Sequence, residues 1–245
     1  MDHIKKSLGG KPVLRDVELG VKTGETLAVV GRSGCGKSVL LKHMIGLMSP
    51  DEGRVFVMEE DIGELDTEGL YRVRGRFGML FQSAALFDSM DVAENVGLAL
   101  AHHTDLSDSE IGDRVSRCLE MVGLKGVEEK LPSELSGGMK KRVGLARAIV
   151  MEPEIILFDE PTTGLDPIMS AIIDELIVDL VQRLNVTAVV VTHDMRTVNT
   201  VCHRVAFLHR GIIFAEGTPE EINESDDEVV AQFIEGRAEG PIDPT

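Results

Sequence analysis

Cysteine is scarce in this chain. Cys35, Cys118 and Cys202 are the three among 245 residues, an odd number without metal-ligand spacing. No zinc site follows from them, and the pattern predicts reduced thiols in a cytosolic compartment. Long apolar runs are missing too. None can span a bilayer, and the N-terminal MDHIKKSLGG lacks the apolar core of a signal peptide. Any membrane role is therefore expected to come through a partner. Basic residues are in short supply, with 25 Lys and Arg against 42 Asp and Glu and a net charge of −17. That balance argues against non-specific binding to nucleic acid, which needs clustered positive charge. Internal repeats and low-complexity linkers are also absent. What remains, 245 residues with an ordinary 43% hydrophobic content, suffices for one large α/β domain or two small ones.

The acidic charge is concentrated at one end. Residues 216–245 carry ten acids against one base, Arg237, and so hold −9 of the net charge. Such a segment is expected to be a solvated acidic extension, although Val229, Val230, Phe233 and Ile234 recur at helical spacing and could form an arm reaching a neighbouring subunit.

The most informative stretch runs from Leu27 to Met48. An apolar segment leads into Gly31-Arg32-Ser33-Gly34-Cys35-Gly36-Lys37-Ser38, which matches G-x-x-x-x-G-K-[ST], and a sequence with helical periodicity comes next. Glycines let backbone N–H groups converge on phosphates, and a helix N-terminus adds partial positive charge. Lys37 can reach the β- and γ-oxygens of a triphosphate, and the Ser38 hydroxyl can hold Mg²⁺. The apolar residues Thr26 to Val30 predict a buried strand delivering this loop. His43, on the next helix, is expected to be packed or at the surface rather than a ligand.

Val13–Leu19 upstream, and Arg54–Val57 and Phe77–Phe81 downstream, read as strands, the last ending at Gln82. Val92–Ala101 and Ile111–Val122 have helical periodicity without strand signals, so a small helical insertion is expected from Ser83 to Gly126. His102-His103 reads as part of a turn with little support as a metal pair. Leu135-Ser136-Gly137-Gly138-Met139 opens a helix in which Ser136 is a natural N-cap and the two glycines cost about 1 kcal/mol each if interior. On this segment alone, an ordinary capped helix and a second anion site built from bare N–H groups both stand. Ile155–Pro161 is a short apolar run ending in Asp159 and Glu160, as in a buried parallel strand with carboxylates at the edge where ligands sit. Pro167–Leu184 predicts a long amphipathic helix and Thr187–Thr192 a buried strand ending at His193. Arg204–Leu208 and Ile212–Ala215 predict a hairpin around Gly211.

Together, GRSGCGKS (31–38), Gln82, LSGGM (135–139), ILFDEP (156–161), GLD (164–166) and His193 resemble, in order and spacing, the nucleotide-binding subunit of ABC transporters. The resemblance covers nearly the whole chain. It implies a P-loop ATPase fold with a mostly parallel core sheet, an antiparallel β subdomain and a helical subdomain over about 83–150, with ATP and Mg²⁺ as cofactors. By position it implies that residues 31–38 bind phosphate, that Ser38 and Asp159 serve the metal, that Gln82 touches the metal or the attacking water, and that Glu160 activates that water. His193 would contact the γ-phosphate and Asp166 would lie at a subunit boundary. The Ser136-Gly137-Gly138 N–H cluster would bind ATP held by a second copy, giving a homodimer in the ATP-bound state.

Phe81-Gln82-Ser83-Ala84-Ala85-Leu86-Phe87-Asp88, residues 132–142 including Met139 where most ABC subunits carry Gln, and Gly164–Ile168 resemble more narrowly the ATPase subunit of Mla-type phospholipid transporters. That likeness implies integral-membrane permease subunits, with Mce-domain and small regulatory subunits as further partners and no nucleic acid. It places the chain in the cytoplasm, peripheral on the inner face of the cell membrane. The exposed positions Leu86, Phe87 and Met90 are expected to meet the permease. The alternatives are an importer of a polar solute or a non-transport ABC ATPase. Two departures stand out: the position where many members stack adenine on an aromatic falls near Leu8, and the first strand looks too short to be complete.

Overall fold

The computed structural model describes residues 1–242, so the last three residues of the acidic extension lie outside the described residues. The chain forms two compact units, one of residues 1–74 and 189–245 and the other of residues 75–188. In chain order the first begins with β1 (Asp2–Leu8), β2 (Lys11–Val17), β3 (Thr26–Val30), α1 (Lys37–Met44), β4 (Glu52–Arg54), β5 (Phe56–Val57), β6 (Glu60–Asp61) and α2 (Thr67–Arg74). The second holds β7 (Phe77–Leu80), α3 (Val92–His103), α4 (Asp108–Met121), α5 (Gly137–Ile149), β8 (Ile155–Asp159), α6 (Pro167–Leu184) and the start of β9 (Thr187–Thr192). From Val189 the chain is again in the first unit, with α7 (Met195–Val201), β10 (Arg204–His209), β11 (Ile212–Gly217), α8 (Pro219–Asn223) and α9 (Glu228–Glu235).

In the first unit the strands lie in the order β4-β1-β2-β11-β10-β3-β9. All five residues of β3 and all six of β9 are buried, which is why both read as unbroken apolar runs. Strand β3 pairs in parallel with β10, from Leu27 opposite Arg204 to Val30 opposite Phe207, and β10 turns back antiparallel into β11. Strand β1 is antiparallel to both β2 and β4. Strand β1 is seven residues long and pairs from Ile4 opposite Val17 to Leu8 opposite Lys11, a longer strand than the few residues before Lys5 predicted. Leu27 is fully buried, and cutting it to Ala would cost about 2–5 kcal/mol.

In the second unit β7 and β8 run parallel, in register from Phe77 opposite Ile155 to Leu80 opposite Phe158. The helices start where the local chemistry allows. Asp91 with Glu94 and Ser107 with Glu110 form capping boxes at α3 and α4, and the Asp166 side chain accepts from the Ile168 and Met169 N–H groups to open α6 at Pro167. Asn185, left-handed at φ 51°, ends that helix. His102 and His103 sit on the last turn of α3 rather than in a turn, because the apolar periodicity of Val92–Leu100 carries the helix through them. Residues 54–57 are two short strands rather than one, with Arg54 ending β4 and Phe56 starting β5. Among the described residues no helix is long and apolar enough to cross a membrane.

Candidate functional site

Within the first unit, β3 ends at Val30 and hands the chain to the loop 31–36. Gly31 has φ 155°, and a Cβ there would collide with the Leu208 carbonyl and lie 2.8 Å from Cys35 Sγ, so no other residue fits. Gly36, at φ 110°, caps α1 without any side-chain hydrogen bond, and the first turn of α1 holds no acid. The first turn of α1 thus brings no carboxylate of its own to the N–H groups at this helix start, which favours an anion there. Lys37 is buried at 6% exposure and curls over the loop, donating from Nζ to the carbonyls of Gly31 at 2.7 Å and Arg32 at 3.1 Å. Burial pushes the Cys35 thiol upward, against the opposing pull of Lys37. Arg32, Ser33, Gly34 and Cys35 share a cavity of about 410 Å³ with His209, Arg210 and Ile242. Burial, then the charges of Arg210 and Arg32, hold the His209 imidazole below its usual range. His193 comes directly after β9 and is exposed, next to Asp194, whose side chain caps α7. Leu8, near where many members of the family carry the adenine-stacking aromatic, is 40% exposed.

Within the second unit, Gln82 is exposed just past β7, and two left-handed alanines lie beyond it, Ala84 at φ 60° and Ala85 at φ 47°. Asp159 ends β8 half-buried, and Glu160 is itself left-handed at φ 50°. Its carboxylate accepts from the Thr163 hydroxyl at 3.0 Å, and its carbonyl accepts from the Thr163 N–H at 3.3 Å. Ser136 caps α5 by accepting from the Met139 N–H at 3.3 Å. Gly137 has room around it, with Leu165 Cδ2 3.6 Å from a Cβ position, whereas a Cβ on Gly138 would meet the Met169 methyl. The bare backbone at Gly138 therefore has a packing cause as well as any chemical one. Of the three apolar positions expected at the surface, Phe87 is 50% exposed, while Leu86 and Met90 are only half-exposed because the turn they belong to folds onto α3, where the Asn95 amide holds the carbonyls of Phe87 and Met90.

Three residues at this site were not singled out from the sequence. Thr163 touches Glu160. Lys141 and Arg147, both on α5, bind backbone carbonyls: Lys141 those of Gln82 and, at 3.1 Å, Glu160, and Arg147 those of Ala84 at 2.5 Å and Ala85 at 2.8 Å. Lys141 recurs at helical spacing with buried Gly138 and Leu145, and a cation in a buried stripe is the signal that could have exposed it. Burial lowers the pKa of Lys141, and the charges of Asp159 and Glu160 oppose that shift.

The sequence profile described as ABC transporter matches residues 14–163. A "probable ribonucleotide transport ATP-binding protein" of Mycobacterium leprae is 44% identical over 239 residues, which is 98% of this chain and 69% of that protein. An "intermembrane phospholipid transport system ATP-binding protein" of Haemophilus influenzae is 42% identical over 234 residues, covering 96% of this chain and 89% of that protein. Among solved structures, a dimeric ATP-binding cassette in a post-hydrolysis state with ADP and Pi superposes with a TM-score of 0.81 at 32% identity, over 89% of this chain and 97% of that one.

Proposed function

The chain belongs to the ABC transporter family, as an ATP-binding, ATP-hydrolysing cassette, and we propose that it powers a membrane complex moving phospholipid or another hydrophobic molecule between membranes. The observation that carries the reading is the presence, on one chain, of a phosphate loop whose lysine is already curled over it and of Glu160, the acid just past β8, held by Thr163. The phospholipid substrate is supported by the name of the Haemophilus relative and by the segment from Phe81 to Asp88.

In this reading the N–H groups of residues 31–38 and the Lys37 ammonium hold the triphosphate, and His193 meets the γ-phosphate. Glu160 takes the proton of the attacking water. Phosphoryl transfer asks chiefly for this positioning and charge stabilisation. The residues this reading assigns to the metal, Ser38, Asp159 and Gln82, each offer an oxygen donor, the ligand chemistry that suits Mg²⁺, an ion that keeps several of its waters. When bound, Mg²⁺ would neutralise charge building on the phosphate oxygens. The Ser136-Gly137-Gly138 start of α5 would close on ATP held by a second copy, with Asp166 at the boundary between copies. Residues 83–150 are read as the helical subdomain facing the permease, with Phe87 in that contact, and 216–245 as the acidic extension. Mce-domain and small regulatory subunits complete the assembly, at the inner face of the cell membrane.

A second reading, import of a polar solute, is supported by the ribonucleotide in the name of the mycobacterial relative. The test purifies the chain with its permease and measures ATP turnover and bound small molecules. Turnover with copurified phospholipid supports the first reading. Turnover with a nucleotide solute and no lipid supports the second, and ATP binding without turnover in wild type and Glu160→Gln alike removes the catalytic role of Glu160.

A further inference from the structure

Helix α5 carries a buried cation that ATP binding and water activation leave unused. Lys141 is 5% exposed, and its ammonium is held by two main-chain oxygens, the carbonyl of Gln82 beyond β7 and the carbonyl of Glu160 beyond β8. We propose that Lys141 is a positioning residue for ATP hydrolysis: its ammonium ties the backbone at Gln82 to the backbone at Glu160, so the two keep one geometry and a shift of the Gln82 loop is passed to the base. The proposal rests on the reading of Glu160 as the residue that activates water.

Three observations carry it. First, the contacts are to carbonyl oxygens, which have no rotamer of their own. Lys141 therefore fixes where the main chain runs at both residues and leaves their side chains to do other work.

Second, the main chain at both places needs holding. Glu160 is left-handed, a conformation that costs a non-glycine residue about 1–3 kcal/mol and persists only when its surroundings over-determine it. The Glu160 carbonyl accepts from both Lys141 Nζ and the Thr163 N–H, which is such over-determination. On the other side, Ala84 and Ala85 are left-handed in succession, and Arg147 of the same helix holds both of their carbonyls. Helix α5 thus grips the loop after β7 with two cations, and of these Lys141 also reaches the residue after Asp159.

Third, stability alone is a poor reason for an ammonium here. Removing a charge from water is expensive, and an apolar side chain of similar volume usually fills such a place at no net loss. Asp159 and Glu160 offset that penalty in part, since their charges favour the protonated amine. The helix that bears Lys141 opens at Ser136, the start we assign to ATP held by a second copy. One rigid element would then connect the Ser136-Gly137-Gly138 segment, the Gln82 loop and the base.

The experiment compares Lys141→Met, Lys141→Gln and Lys141→Arg in the full chain assembled with its permease, with Glu160→Gln as control. Three quantities are read: kcat for ATP, Kd for a fluorescent ATP analogue, and the ratio of permease-stimulated to basal turnover. Lys141→Met is expected to lose roughly tenfold or more in kcat with less than about a threefold change in Kd, the pattern of an interaction needed in the transition state and not for binding. Its stimulation ratio is expected to fall toward one. Lys141→Arg, which still reaches both carbonyls, is expected to restore most of both, and Lys141→Gln, which spans only one, to fall between. If Lys141→Met does not fold, the Gln and Arg variants carry the same comparison. Wild-type kcat and stimulation in Lys141→Met or Lys141→Gln overturn the proposal. So does a parallel loss of kcat, ATP affinity and melting temperature that Lys141→Arg does not repair, since that marks a merely structural cation. If instead Glu160→Gln keeps turning over, the reading of Glu160 as base fails, whatever the Lys141 variants do.

Discussion

The Thr163 hydroxyl donates to a Glu160 carboxylate oxygen at 3.0 Å, three residues further along the same turn. If Glu160 is the base proposed above, its carboxylate works best in one orientation, and this hydrogen bond would select it. Thr163→Val removes the donor at nearly constant volume. It is expected to lower kcat roughly three- to tenfold with ATP affinity unchanged, against a loss of at least about a hundredfold for Glu160→Gln. Steady-state turnover and ATP binding in the assembled complex measure both, and an undiminished kcat in Thr163→Val would remove the orienting role.

Gly138 offers a way to separate packing from chemistry. A Cβ there meets the Met169 methyl of α6, the far end of a flexible side chain, while its N–H belongs to the start of α5. If packing alone required glycine, Met169→Ala would make Gly138→Ala harmless. We expect Gly138→Ala to melt only slightly lower, by less than about 1 kcal/mol in stability, and Met169→Ala to recover that loss without restoring ATP-dependent pairing of two copies or turnover. Recovery of turnover in the double variant would show that the glycine serves packing only.

Those two cases show what the sequence could and could not disclose. The buried strands β3 and β9 and the helix from Pro167 to Leu184 were legible because each carries an unmixed signal: unbroken apolar runs in the strands, and an Asp-Pro start with helical periodicity in the helix. The loop between β3 and α1 was legible because its glycines and lysine fall within one short stretch. Lys141 and Arg147 were not, because each acts on main-chain carbonyls distant in sequence, which have no letter in it, and Thr163 was not, because a hydroxyl three residues from an acid in a turn has no distinguishing pattern. Lys141 is 59 residues from Gln82. The left-handed conformations of Glu160, Ala84 and Ala85 leave no trace in residue type either, since none of the three is glycine.

His43 lies fully buried on α1, with Nδ1–H donating to the Val39 carbonyl at 2.7 Å. Burial is the largest cause holding its pKa below the usual value; Lys6 acts in the same direction, while the Val39 and Ser49 backbone and Asp51 act against it. The folded state therefore favours neutral imidazole, and the unfolded chain binds the proton more readily. Stability from this group is complete above the unfolded pKa of about 6.5 and is lost as pH falls below it toward the folded value. The slope of unfolding free energy between pH 7 and pH 5 should be shallower in His43→Gln than in wild type, whatever the variant's absolute stability. Denaturant melts at several pH values give that slope, and equal slopes would show that His43 does not contribute.

The acidic extension is tied down in the first unit rather than left as an arm over its described length. Phe233 of α9 packs its ring 5.0 Å from that of Phe207, and the buried Gln232 clamps the segment beyond the helix. Its Nε2 donates to the carbonyls of Arg237 at 3.2 Å and Ile242 at 3.3 Å, and its Oε1 accepts from the Ile242 N–H at 2.6 Å. Ile242 in turn lines the cavity beside Arg32 and Cys35 of the phosphate loop. Buried hydrogen bonds of this kind contribute about 0.5–1.5 kcal/mol each, so losing three should free the segment locally without unfolding the chain. Gln232→Ala is expected to make the bond after Arg237 accessible to trypsin several-fold faster, with the melting temperature lowered by only a few degrees. Because Ile242 shares that cavity with the loop, ATP should slow the cleavage in wild type more than in the variant. Equal cleavage rates in the two proteins would mean that Gln232 does not anchor the extension and that the hold belongs to Phe233.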